Sequence, residues 1–268
     1  MKAFEGVFGT PIEGRSTKPR KTGYTMVIDK GLGLAATRDL MDTAADYIDS
    51  LKQTFGTSAF FNDRLIREKA EIVRAAGVNV YPGGTFLEIA EWQNRVPEYL
   101  RRVKELGFTG VEVSDGTIEM SDEQRHDAIK RAVDMGFIVI SEVGKKDPSD
   151  KVAYPKMHAD IRKDLELGVT KVIVEARESG KGVGIFDAAG NPDAAEVEAI
   201  ISGVDDVNDL IWEAPMKNQH VWLIKKFGIN VNLGNVPPEE VLVLEALRNG
   251  MRGDTLKMAY LGKVPGQG

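Results

Sequence analysis

Glu166-Leu167-Gly168-Val169-Thr170-Lys171-Val172-Ile173-Val174-Glu175 decides the fold. A helix end runs into a glycine, the glycine into a short apolar strand, and the strand into a glutamate. Glycine just past a helix supplies the left-handed conformation that closes the last turn. The apolar run behind it suits a strand buried on both faces of a parallel sheet. The same unit recurs as Ala75-Ala76-Gly77-Val78-Asn79-Val80, Glu105-Leu106-Gly107-Phe108-Thr109-Gly110-Val111, Asp134-Met135-Gly136-Phe137-Ile138-Val139 and Lys226-Phe227-Gly228-Ile229-Asn230-Val231.

Working outward, eight strands are predicted: residues 24–28, 47–51, 78–81, 110–113, 137–141, 171–174, 210–212 and 229–233. Helices are predicted between them, with Asn62 as a cap, Pro97 in a first turn, Ser121 with Gln124 and Asp193 with Glu196 as capping boxes, and Pro237-Pro238 opening the last long helix. Eight strands alternating with helices specify an α/β protein, a single-domain (β/α)8 TIM barrel over residues 23–258. Residues 1–22 read as an irregular, solvated lead-in whose Arg20 and Lys21 could meet an anion, and residues 259–268 as a tail. The glycine-rich insertion from Glu178 to Asn191 reads as a mobile active-site loop.

The 268 residues are 42% apolar and 28% charged, as expected of a globular protein with a full core. A formal charge of −6 argues against a nucleic-acid partner. The first residues lack the long apolar segment of a signal peptide, and no stretch is apolar enough to span a bilayer, so a soluble, cytoplasmic protein without a membrane partner is expected. Absence of cysteine excludes disulfides, thiolate metal sites and cysteine nucleophiles. No Walker, dinucleotide-binding, nucleophile-elbow or zinc-protease motif is present.

Chemistry in such a barrel is done at the C-terminal ends of the strands. Collected there are Asp29, Lys30, Lys52, Glu88, Glu112, Asp115, Glu142, Lys145, Lys146, Glu175, Arg177, Glu178, Glu213 and Asn235. Buried charges of both signs must pair with each other, with a metal or with a substrate. An ion-pair network that only closes the barrel top would need fewer of them. Carboxylates without nearby histidine suit a hard cation such as Mg2+, with Glu112, Glu142, Glu175 and Glu213 as the candidate ligands. The three histidines, His126, His158 and His220, fall on helical segments and read as surface or packing residues. Magnesium beside lysines fits a carboxylate substrate that passes through an enolate-like dianion while a lysine trades a proton. Arg177 is a fork for phosphate or carboxylate, and Pro82-Gly83-Gly84-Thr85 is either an ordinary turn or a backbone cradle for an anion.

The segments Thr25-Met-Val-Ile-Asp29-Lys30-Gly31, Tyr47-Ile-Asp49-Ser-Leu-Lys52, Gly56-Thr57-Ser58, Tyr81-Pro-Gly-Gly-Thr85, Val113-Ser-Asp-Gly-Thr117, Glu142-Val-Gly-Lys-Lys146, Glu175-Ala-Arg-Glu-Ser-Gly180 and Arg252-Gly-Asp-Thr255 together resemble the phosphosulfolactate synthase family over nearly the whole chain. The resemblance implies a magnesium-dependent (β/α)8 barrel, a lyase of the carbon–sulfur class. It would join phosphoenolpyruvate and sulfite into 2-phospho-3-sulfolactate, the first step of one route to coenzyme M biosynthesis. It also implies Lys146 as general acid. With that reading Lys146, Lys145, Glu142 and Lys52 become the catalytic candidates, and Lys30, Gly83, Gly84, Thr85, Arg177, Ser179 and Asn235 the substrate-binding ones. Because two anions must meet, a cationic pocket is expected. A homo-oligomer is expected as well.

Where the family reads Phe-Gly-Trp-Gly-Thr-Ser after the lysine, this chain has Gln53-Thr54-Phe55-Gly56-Thr57-Ser58. That departure keeps open a related barrel enzyme that adds a different nucleophile to phosphoenolpyruvate or a 2-oxo acid. A non-catalytic stress-tolerance relative, similar to plant heat-stress-associated proteins, is a third reading. A Schiff-base aldolase using a strand-end lysine is a fourth.

Overall fold

Side chains along a strand alternate between its two faces, so each strand of a closed sheet feeds two cores at once. The computed structural model describes residues 3–147, 149–150, 152–263 and 265–266. Its eight parallel strands are β1 (Thr25–Asp29), β2 (Ser50–Gln53), β3 (Asn79–Pro82), β4 (Gly110–Val113), β5 (Ile138–Val143), β6 (Lys171–Val174), β7 (Leu210–Glu213) and β8 (Leu233–Val236). They lie in the order β3-β2-β1-β8-β7-β6-β5-β4. The β3–β4 seam is drawn together by Thr109, whose N–H donates to the Val80 carbonyl at 3.0 Å and whose hydroxyl accepts the Val80 N–H at 2.9 Å. The sheet is thereby nearly closed into the expected (β/α)8 barrel.

Ten helices wrap it among the described residues: α1 (Leu34–Ala44), α2 (Asp63–Ala75), α3 (Gly84–Trp92), α4 (Val96–Glu105), α5 (Asp122–Asp134), α6 (Tyr154–Glu166), α7 (Ala194–Ile201), α8 (Lys217–Phe227), α9 (Val241–Arg248) and α10 (Gly253–Tyr260). None is long and apolar enough to cross a membrane. Residues such as Val27, Leu51, Val80, Val111 and Val172 point outward into the large core under the helices. Met26, Tyr81, Ile140, Ile173 and Ile211 fill the barrel interior. The capping residues act as read: Asn62 accepts the Leu65 N–H, and Ser121 with Gln124 forms the reciprocal box. Asp193 caps α7, but Glu196 turns to the Tyr154 hydroxyl instead of back to the cap. The five repeat glycines adopt φ between +69° and +100°.

Several boundaries differ from the sequence reading. Residues 229–232 are not strand: the Arg248 guanidinium captures the carbonyls of Ile229 and of Val231, the latter at 2.9 Å, and β8 begins only at Leu233. Tyr47 belongs to a 3-10 turn, so β2 starts three residues late and Lys52 lies within the strand. β5 likewise runs through Glu142. The lead-in is not a free arm either. Ile12 is buried, Arg15 pairs with Glu245 at 3.1 Å, and Arg20 pairs with Asp49 at 3.2 Å beside the N-terminal ends of β1 and β2, away from the mouth that Lys52 and the glutamates line.

Candidate functional site

Glu112, Glu142, Glu175 and Glu213 each stand two residues after an inward position, Gly110, Ile140, Ile173 and Ile211, and Lys52 stands two after Ser50. The pleat therefore turns all five inward, one layer above the apolar interior. All five are at least 95% buried. Lys52 Nζ lies 2.9 Å from Glu213 Oε1, 3.1 Å from Glu112 Oε2 and 3.8 Å from Glu142 Oε2. Backbone groups complete the arrangement. The Gly84 N–H donates to Glu112 Oε1 at 2.8 Å, the Ala176 N–H to Glu213 Oε2 at 3.0 Å, and the Arg177 N–H to Glu175 Oε1 at 2.6 Å.

Lys146 enters the same cluster from above. Its Nζ is 2.6 Å from Glu142 Oε1, 2.9 Å from Glu175 Oε2 and 3.6 Å from Glu88 Oε1. Lys145 points elsewhere, to the Asp115 carbonyl at 2.6 Å. Gly116 gives Lys146 room: a Cβ there would stand 2.5 Å from Nζ. Two participants are absent from the catalytic, binding and metal candidates. Glu88, on α3, accepts the N–H groups of Thr117 and Ile118 at 2.8 and 2.9 Å. Ser114 Oγ lies 2.7 Å from Glu142 Oε1 and 2.9 Å from Glu88 Oε1. Each had a signal: Ser114 is two residues past Glu112, and Glu88 is one helical turn past Gly84.

So much buried charge displaces the titrations. Burial, with Glu142 and Glu213 nearby, raises the Glu112 carboxyl to about 7 despite Lys52. Glu175 is pushed well above its usual value by burial and by the charges of Glu142 and Glu213. Burial works against Glu142 too, but Lys146 and Lys52 outweigh it and hold that carboxyl low. Both lysines remain ammonium ions, because their carboxylate partners outweigh burial.

The central cavity, about 170 Å³, is lined by five carboxylates (Glu112, Glu142, Glu175, Glu178, Glu213) against three cationic side chains (Lys52, Lys146, Arg177). The cationic pocket expected from the sequence is thus corrected: the protein alone offers an excess of acid. That excess fits a hard cation. Carboxylate oxygens of Glu142, Glu175 and Glu213 lie within 4.8 Å of one another. Among the described residues, buried Glu175 Oε2 accepts no well-angled hydrogen bond, and it lies 2.9 Å from the Lys146 ammonium. Oxygen donors alone, with no imidazole among them, suit magnesium. Glu112 is not brought into this group of three and is held by Lys52 and Gly84.

The substrate-binding candidates divide. Thr85, Arg177 and Asn235 line the cavity, while Ser179 is exposed and does not. Lys30 is exposed over an adjoining cavity of about 480 Å³ that shares Asn235 and Glu178. Gly83 and Gly84 also line the site, but their N–H groups are engaged by the Gln53 carbonyl at 2.9 Å and by Glu112, so the cradle reading fails for these two. Asp29 turns away to an ion pair with Lys69. Of the divergent segment, Thr54 and Phe55 reach the cavity and Gln53 does not. The insertion is held down rather than loose: Gln219 Nε2 donates to the carbonyls of Gly180 at 2.7 Å and Gly190 at 3.2 Å, and Ile185 and Phe186 are buried. His126, His158 and His220 lie on α5, α6 and α8, and His220 is buried with Nε2 donating to the Ala214 carbonyl at 2.6 Å.

Residues 13–254 match the profile of the (2R)-phospho-3-sulfolactate synthase family. The chain is 46% identical to phosphosulfolactate synthase of Methanothermobacter thermautotrophicus over 258 residues, 96% of this chain and 98% of that one. It is 42% identical to the enzyme of the same name from Methanocaldococcus jannaschii, covering 95% and 98%. Among solved structures it is similar to 3-hexulose-6-phosphate synthase from Salmonella typhimurium, with a TM-score of 0.55 at 14% identity over 85% of this chain and all of that one. At that identity the likeness concerns the fold alone.

Proposed function

The chain belongs to the phosphosulfolactate synthase family, and we propose that it adds sulfite to phosphoenolpyruvate with the help of magnesium, giving 2-phospho-3-sulfolactate. The observation that carries this reading is the meeting of Glu142, Glu175 and Glu213 with Lys146 in one acid-rich cavity. Two anionic substrates would not enter such a cavity unaided.

Glu142, Glu175 and Glu213 would hold the metal, which when bound offsets the negative charge that develops on the substrate carboxylate. Sulfite sulfur forms a bond to C3 of phosphoenolpyruvate, and the electron pair of the C2=C3 bond moves into the C2–carboxylate system. A proton must then reach C2. Lys146 is held as an ammonium at the cavity, with 23% of its side chain exposed, so it can give that proton and regain one from water. Arg177 at the rim suits the phosphate. Lys52 holds the Glu112 and Glu213 carboxyl groups in place through its ion pairs. A Schiff-base reaction needs a neutral amine, whereas the carboxylates around Lys52 and Lys146 favour the ammonium form of both.

The test is consumption of phosphoenolpyruvate with and without sulfite, and with and without magnesium. Consumption that needs both supports the reading, and consumption indifferent to sulfite removes it. Thr54 and Phe55 at the cavity favour a second reading, addition of another nucleophile, which the same assay separates by exchanging the nucleophile.

A further inference from the structure

Arg177 and Asn235 are non-glycine residues with left-handed backbone, φ +60° and +52°. Residues with a Cβ adopt this conformation only where the surroundings hold it. The Asn235 side chain braces the Arg177 backbone. Asn235 Nδ2 donates to the Arg177 carbonyl at 3.2 Å, while the Arg177 N–H donates to Glu175 Oε1 at 2.6 Å. One residue earlier the Ala176 N–H is taken by Glu213 Oε2. The turn after β6 is therefore clamped from the ends of β6, β7 and β8 at once.

With its backbone fixed on both sides, Arg177 presents an exposed guanidinium at the cavity rim. Among the described residues that guanidinium makes no hydrogen bond or ion pair of its own. Asn235 is only 2% exposed, and its Oδ1 has no partner. A buried amide used on one side only is an unfavourable choice for stability, so its placement calls for a reason at the site.

We infer that Asn235 is a positioning residue: its amide fixes the Arg177 backbone so that the guanidinium meets the phosphate monoester of an incoming substrate. This rests on the reading of the cavity as a phosphoenolpyruvate site. A planar guanidinium forms paired hydrogen bonds to phosphate only from a defined direction, so a loosened turn weakens binding even though the arginine remains.

The experiment is a double-substitution cycle with glycine, which keeps the left-handed backbone while removing each side chain. Asn235→Gly, Arg177→Gly and the double variant are titrated calorimetrically with phosphoenolpyruvate in the presence of magnesium, and their turnover and Tm are measured. Each single variant is expected to weaken binding about tenfold or more. The double variant should be no weaker than Arg177→Gly alone. Asn235→Gly should raise KM for phosphoenolpyruvate with little change in kcat. Losses that multiply in the double variant, or an Asn235→Gly that lowers Tm without changing affinity, overturn the inference, as does wild-type protein that does not bind phosphoenolpyruvate. Wild-type protein that binds phosphoenolpyruvate but never adds sulfite overturns the reaction alone, and the cycle still decides the role of Asn235.

Discussion

The Lys146 ammonium lies 2.6 Å from Glu142 Oε1, a contact between residues four apart in a segment that is not helical. Gly144, at φ +108°, turns the chain after β5, and the Lys146 N–H then docks on the Gly116 carbonyl at 2.9 Å. The turn brings Lys146 back over the strand end and sends Lys145 out to Asp115.

Lys146→Ala is therefore expected to lower kcat by roughly 10² to 10⁴ with a smaller effect on KM, because a general acid acts in the transition state. Lys145→Ala should keep most of kcat. Steady-state kinetics of both variants at saturating phosphoenolpyruvate and sulfite decide it. The reverse pattern reassigns the proton donor, and two active variants remove lysine from the step.

Chelation should abolish turnover, and magnesium should restore it. Glu175→Gln or Glu213→Gln should weaken magnesium binding measured by calorimetry, while Glu112→Gln, outside the group of three oxygens, should affect it less. Equal losses in all three variants would place Glu112 among the ligands. Turnover in metal-free buffer would remove the cation from the mechanism.

The glutamates were legible because strand parity is a local property: an acid two residues beyond an inward isoleucine must also face inward. The five helix-end glycines were legible for the same reason. What escaped depends on distant partners. Arg248 pulls residues 229–231 out of β8 from a helix seventeen or more positions away. Gln219 ties down an insertion whose glycines read as looseness, and Gly184 fits there because a Cβ would strike the Glu175 carbonyl at 2.1 Å. The pocket's charge was misjudged because its acids come from four strands and its cations from fewer places.

Gly116→Ala offers a test of the Lys146 position that leaves the lysine in place. The added Cβ would stand 2.5 Å from Lys146 Nζ, the free end of a flexible side chain, so the chain can fold by moving the ammonium aside. Activity is expected to fall by at least about tenfold, with Tm within a few degrees of the parent. A fully active Gly116→Ala would show that the ammonium position seen here is not the working one.

His220 should make stability depend on acid. Burial lowers its imidazole from 6.5 to about 4, and Arg248 and Arg252 add to the effect, while the Ala214 carbonyl opposes it. The unfolded chain takes up a proton near 6.5 and the folded one only near 4. Stability is therefore fully present above 6.5 and is lost as pH falls from 6.5 towards 4, by about 3 kcal/mol. Glu112 acts in the opposite sense, since its raised carboxyl favours the folded state at low pH and loses that contribution as pH rises through about 7. The comparison that isolates the histidine is His220→Gln against the parent in urea unfolding at several pH values. The variant should be less stable at pH 7.5, and its stability should fall less steeply between pH 6.5 and 4. Parallel slopes would mean that His220 takes up its proton at the same pH in the folded and unfolded chain, so that its burial does not lower its pKa.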